Sequence, residues 1–145
     1  MAKLPVRQVT GEVFCHESED YDKVVEAFAL FFPKKSMKDE SLPGVFGTTI
    51  RIIRAEVSKK AAQELVSKLV KELSSEDKQH ILRELKLRVS EEGRLYLRFD
   101  KQVAYAGGAL RLTSEEDDSI QVVIVLEAFP ANLVGFLNAS KSIFG

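Results

Sequence analysis

One stretch of the sequence concentrates side chains that bind anions and flat rings: Lys86, Arg88, Arg94, Tyr96, Arg98, Lys101, Tyr105 and Arg111. Arg and Lys pair with phosphate, and an exposed aromatic ring is a stacking surface for an unpaired base. The set therefore reads as nucleic-acid chemistry. It also suits a solvated sheet face whose charges discourage edge pairing. Other chemistry is thinly supplied. Cys15 and His16 are neighbours, and neighbouring strand residues point to opposite faces, so the thiol is expected inside and the imidazole in solvent. His80 has no clearly spaced metal-ligand partner and is expected to be exposed. The run Glu115-Glu116-Asp117-Asp118 has charge enough for a divalent cation, but lacks the alternate spacing and glycine of a calcium loop. It reads as an acidic turn. Gly107-Gly108 reads as a bend, and no phosphate loop, nucleophile elbow or zinc-protease helix is present. No catalytic residue, metal or cofactor is expected. A weak enzymatic role stays open, with Asp100, Lys101 and Tyr105 as its nucleus.

Composition bounds the partners. The 145 residues fit a single domain, 1–145, able to bury a core. The net charge is −1, so any phosphate-binding surface must be a local patch balanced by acids elsewhere. With one cysteine no internal disulfide forms. No apolar run approaches the roughly 20 residues of a membrane helix, and no apolar signal core is visible. A cytoplasmic protein without membrane contact is expected.

The elements that must position these residues follow from periodicity. Val6 to His16 alternates as a strand. Asp20 to Phe32 repeats apolar residues at helical spacing, with acids at its start and Pro33 at its end. Pro33 to Gly44 has no period and reads as a mobile loop. Phe46 to Val57 reads as a strand. Ser58 is placed to cap a helix whose rows are Ala61, Leu65, Leu69, Leu73 and Ala62, Val66, Val70. Ser74 caps a short helix anchored by Ile81, Leu82 and Leu85. From Leu85 the period becomes two, predicting a hairpin, Leu85–Val89 and Leu95–Phe99, about Gly93. Its outward face carries Lys86, Arg88, Tyr96 and Arg98. Two further strands are predicted, Ala109–Thr113 and Ser119–Glu127. Pro130 opens a last helix with Leu133, Val134, Leu137 and Phe144 inward. This order predicts an α+β fold: a largely antiparallel sheet with helices packed on one face.

The segment Arg94-Leu95-Tyr96-Leu97-Arg98-Phe99-Asp100-Lys101-Gln102-Val103-Ala104-Tyr105-Ala106-Gly107 resembles the "lylRxDKQxAyxG" signature of an archaeal family of predicted RNA-binding proteins or exosome subunits. The strand from Asp118-Ser119-Ile120 to Phe129-Pro130, and the helix pair between Ser58 and Leu85, are similar too. The resemblance implies a fold like that of the ribosomal protein that binds 5S rRNA, and a role with RNA. It carries over to Arg98, Asp100, Lys101 and Gln102. The family's "HGNPI" segment is replaced here by Phe46-Gly47-Thr48-Thr49-Ile50, which removes the imidazole and the amide. Lys101 would hold a phosphate as a point charge, and Gln102 would meet a base edge or sugar hydroxyl. Alternatively Asp100 and Lys101 neutralise each other and Gln102 satisfies buried backbone.

The expected function is non-catalytic binding of RNA, rRNA or another structured RNA, alongside RNA processing or the exosome. Its candidate site is Lys86, Arg88, Tyr96, Arg98, Lys101, Gln102, Tyr105 and Arg111. The alternative is a protein-interaction or assembly module: a homodimer, or a subunit of a complex of RNA processing.

Overall fold

The alternation of Val9, Gly11, Val13 and Cys15 is realised in β1 (Val6–His16), where all four are buried. The computed structural model describes residues 4–43, 47–114 and 118–145. Next come α1 (Tyr21–Phe28), a 3-10 turn (Lys34–Ser36), β2 (Met37–Pro43), β3 (Thr49–Ser58), α2 (Lys59–Glu72), α3 (Ser75–Arg83) and α4 (Leu85–Arg88). Then follow β4 (Arg94–Asp100), α5 (Lys101–Gly107), β5 (Ser119–Leu126) and α6 (Leu133–Phe144). The strands form a five-stranded antiparallel sheet in the order β2-β3-β1-β5-β4, with helices packed against it, so the α+β expectation holds. Gly44, Phe46 and most of the expected acidic turn (Glu115, Glu116, Asp117) lie outside the described residues.

The chain divides into two compact units. One comprises Met1–Thr10, Val57–Leu97 and Val123–Gly145. In it α2 buries Ala62, Leu65, Val66 and Leu69. Ser58 stands at the cap position of α2 but its hydroxyl makes no cap bond, whereas the Ser74 hydroxyl accepts from Asp77 N at 3.1 Å and caps α3. The predicted strand at Leu85–Val89 is instead α4. Ile81, Leu85 and Val89 are buried while Leu87 is 84% exposed. Four-residue spacing, continuing the row of α3, overrode the alternation. Only the bridge between Val89 and Leu95 survives of the first hairpin strand. The turn itself stands: Gly93 has φ +88°, and a Cβ there would lie 2.6 Å from the Phe136 ring. Asn132 caps α6 by accepting from Gly135 N at 2.9 Å, so the helix starts after Pro130 rather than on it. It buries Phe136, Ala139, Ser140, Ile143 and Phe144. Leu133 and Val134, expected inward, are 38% and 67% exposed. The inward face is the i, i+3, i+4, i+7, i+8 set that begins at Phe136.

The other unit comprises Gly11–Glu56 and Arg98–Val122. Its core is aromatic. Phe28 and Phe32 rings lie 5.1 Å apart and Phe31 and Phe99 rings 4.9 Å apart, all four buried. Each such ring contributes roughly 1.5–3 kcal/mol by leaving water. Gly11 makes room for them: a Cβ there would lie 2.2 Å from the Phe32 ring. The predicted loop after Pro33 is strand β2, paired antiparallel with β3 from Met37↔Ala55 to Pro43↔Thr49. It lacks apolar alternation because both its faces are wet. Backbone pairing and diagonal charge pairs hold it instead: Arg54–Glu40 at 2.7 Å and Arg51–Asp39 at 3.9 Å. The predicted strand Ala109–Thr113 reduces to one bridge, Leu112 to Phe99.

Candidate nucleic-acid interface

The signature segment places its residues by capping and charge. Asp100 ends β4 and caps α5, its carboxylate accepting from Val103 N at 3.0 Å. Lys101, in the first turn of α5, is turned inward and is 1% exposed. Its ammonium donates to Phe14 O at 2.7 Å, Glu19 Oε1 at 2.7 Å and Asp118 Oδ1 at 2.9 Å. An ammonium has three N–H donors, so none is left for a phosphate. A buried charge is tolerable only when paired and bonded in this way. Asp100 and Lys101 therefore do not neutralise each other; each serves a different partner. Gly108, at φ +66°, closes α5 in the left-handed conformation that glycine accepts without strain.

Glu19 and Asp118 also lie near His16, with ligand atoms of the three within 4.8 Å of one another. The Lys101 ammonium already supplies the positive charge these carboxylates need. A metal ion would have to displace it. Cys15 and His16 diverge as expected, one buried and one exposed. Burial, aided by Glu19, pushes the Cys15 thiol pKa up. His80 is exposed, as expected, but is paired with Glu84 at 2.8 Å.

The remaining candidates fall in both units. In the first, Lys86, Arg94 and Tyr96 are exposed, Tyr96 to 45%. Arg94 and Tyr96 stand on the outward row of β4, alternating with buried Leu95 and Leu97. Arg88 is largely committed: Nη2 and Nε donate to Glu84 Oε1 at 2.8 and 3.2 Å, and Nη1 to Tyr96 O at 3.3 Å. It positions the backbone beneath Tyr96. In the second unit, Gln102 and Arg111 are exposed, while Arg98 and Tyr105 are half-buried. Gln102 therefore faces solvent, not buried backbone. The Arg111 carbonyl accepts from Asp100 N at 2.7 Å, fixing the backbone that carries its guanidinium.

Sequence reading missed Lys23. It lies on the wet side of α1, and its ammonium sits 5.6 Å from the centre of the Tyr105 ring. Lys23 and Tyr105 are far apart in sequence, and nothing in the local pattern of α1 pairs them. A groove of about 510 Å³ opens where α1 meets α5, lined by these two residues with Glu26, Ala27, Leu30, Ala104, Ala106 and Gly108.

A family model described as RNA binding matches residues 8–126. The chain belongs to this RNA-binding family. An RNA-binding protein of Pyrococcus abyssi is 35% identical over 135 residues, covering 88% of this chain and 86% of that relative. An uncharacterised protein of Methanocaldococcus jannaschii is 34% identical over 122 residues, covering 79% and 80%. A crystal structure of a protein from Archaeoglobus fulgidus superposes with a TM-score of 0.83 at 27% identity, covering 95% of this chain and 99% of that one. A solved structure of a protein from Methanothermobacter thermautotrophicus gives a TM-score of 0.80 at 26% identity, covering 97% of this chain and 98% of that one. These relatives are archaeal, as the signature implied.

Within the family signature, Asp100 and Lys101 hold the start of α5, Ala104 is buried in its packing, and Gly108 just beyond ends it. Gln102 is exposed and the half-buried Tyr105 keeps part of its ring outward, beside Lys23.

Proposed function

We propose that the chain is a non-catalytic RNA-binding protein, and that its exposed cations and tyrosines make the contacts. The observation that carries this reading is the outward row of β4. Arg94 and the 45% exposed Tyr96 alternate with buried Leu95 and Leu97 on a rigid strand, with exposed Lys86 in the same unit. A strand-held ring beside a guanidinium suits base stacking and phosphate contact together. Membership of the RNA-binding family supports the same reading. In this account Lys86, Arg94 and Arg111 meet phosphates, Tyr96 and Tyr105 stack, and Gln102 bonds a base edge or sugar hydroxyl. Arg98 joins the set through the alternation of β4. Arg88 orients Tyr96. Lys101 holds the fold and touches no RNA.

The commitment of Asp100 and Lys101, the nucleus a catalytic reading would use, supports a binding role over catalysis. Asp100 is spent on the cap and Lys101 on its carboxylates. The Tyr21 hydroxyl pKa is raised chiefly because it donates to Asp39, and this pair lies beside Arg51 in a surface ion network. Among the described residues no helix is long and apolar enough to cross a membrane. We place the protein in the cytoplasm, with rRNA or another structured RNA as ligand and a complex of RNA processing, such as the exosome, as its setting.

The test is a fluorescence anisotropy titration with labelled RNA. Tyr96→Ala and Lys86→Gln should both weaken binding. Unchanged affinity in both would overturn the assignment of this face.

One observation favours a second reading. Phe129 is 93% exposed, Val134 67% and Leu133 38%, all within one short stretch leading into α6. Large apolar side chains exposed so close together in sequence suit protein contact. A homodimer or a docked partner would cover it. Sedimentation of the wild type and Phe129→Ser separates the cases: a dimer that dissociates on substitution supports assembly through this stretch.

A further inference from the structure

The groove between α1 and α5 has a composition that the outward row of β4 lacks. Much of its lining is small or apolar: Ala27, Leu30, Ala104, Ala106 and Gly108. One aromatic ring, Tyr105, and one cation, Lys23, complete it, the ammonium 5.6 Å from the ring centre. Its acid, Glu26, is already paired with Lys34 and offers an approaching anion little net repulsion. Lys23 has no carboxylate partner among the described residues. The volume, about 510 Å³, lies within the usual range of small-ligand sites.

We propose that this groove takes one unpaired base of an RNA strand. Tyr105 stacks on the base, and Lys23 moves from the ring to the adjoining phosphate. An exposed cation–π contact is weak, so a phosphate competes for the ammonium effectively. A base inside a duplex is stacked on both faces and cannot enter. An unpaired base can be splayed out onto an aromatic ring. The inference rests on the RNA-binding reading and narrows it to single-stranded segments, loops or ends.

The experiment titrates the protein against a labelled single-stranded RNA of about 10 nucleotides and a fully paired duplex of the same length. Wild type should bind the single strand at least 10-fold more tightly. Tyr105→Ala should weaken single-strand binding by about 10- to 100-fold, the loss expected for one base–ring stack, and Tyr105→Phe should retain it. Ala106→Phe, which fills the groove from an exposed position, should mimic Tyr105→Ala. Lys23→Gln should flatten the plot of log affinity against log salt by about 0.7, one phosphate contact on a single strand. Thermal melts confirm that each variant is folded. If Tyr105→Ala and Ala106→Phe bind the single strand like wild type while Tyr96→Ala is weakened, the groove proposal falls and RNA binding stands. Equal affinity of wild type for strand and duplex also overturns it. Failure of wild type to bind either RNA removes both readings.

Discussion

At the start of α5, the Lys101 ammonium is enclosed and donates to Phe14 O, Glu19 and Asp118. At α1, Lys23 stands in solvent beside the Tyr105 ring, and no carboxylate among the described residues claims it. Both lysines belong to the same unit. The signature motif points to the first, and only the folded arrangement points to the second. The difference teaches that a cation's availability depends on how many of its donors are already used. A basic residue in a family motif is as ready to neutralise buried acids as to meet a ligand.

The comparison breaks most sharply on stability. Lys101→Met leaves Glu19 and Asp118 beside an apolar side chain, and should cost about 3 kcal/mol, the low end for a broken buried pair because Asp118 is 44% exposed. Lys23→Gln should stay within about 0.5 kcal/mol, as for other surface changes. Urea unfolding of both reads the contrast; equal losses would erase it. Tyr96→Ala should weaken RNA binding about 10-fold, the lower part of the range for one stacked base, with stability nearly unchanged. Arg88→Gln removes an i,i+4 pair whose guanidinium side chain is only 14% exposed and should cost about 1 kcal/mol of stability. Its smaller effect on RNA would follow from loosening the backbone at Tyr96.

The smallest effects are in pH. The Tyr21 hydroxyl titrates above the usual tyrosine value of about 10, chiefly because it donates to Asp39. A raised folded-state pKa means this contribution is whole below about pH 10 and is lost as pH rises through the folded value. Tyr21→Phe should therefore lower stability slightly at neutral pH, where the contribution is whole, and flatten the alkaline fall. The buried Cys15 thiol, with its pKa also raised, should resist iodoacetamide at pH 8 until the protein unfolds.

Most of the fold was legible because its core elements carry long, clean periods: β1, the two rows of α2, and the capping serine of α3. Ambiguity arose where apolar runs were short. Leu85, Leu87 and Val89 fit a period of two or of nearly four, and only the neighbouring row at Ile81 decides for the helix. Strand β2 was illegible because neither face is buried; its pairing lies in backbone bonds and in Arg54 and Glu40, distant in sequence. The candidate site was legible by residue type and not by role. Lys86, Tyr96, Gln102 and Arg111 are exposed, yet nothing in the sequence reveals that Glu19 and Asp118 claim Lys101. Both acids sit in stretches that read as charged caps and turns. Lys23 was hidden for the same reason, its partner ring lying on another helix.

The most direct measurement is the salt dependence of RNA affinity for wild type and for Lys101→Arg, at a temperature where both are folded. Wild type should bind, with log affinity falling linearly in log salt by about 0.7 for each phosphate met on a single strand. Lys101→Arg, changed only inside, should share that slope. A shallower slope in the folded variant would mean that Lys101 reaches RNA, contrary to this account, and salt-insensitive or absent wild-type binding would contradict the account as a whole.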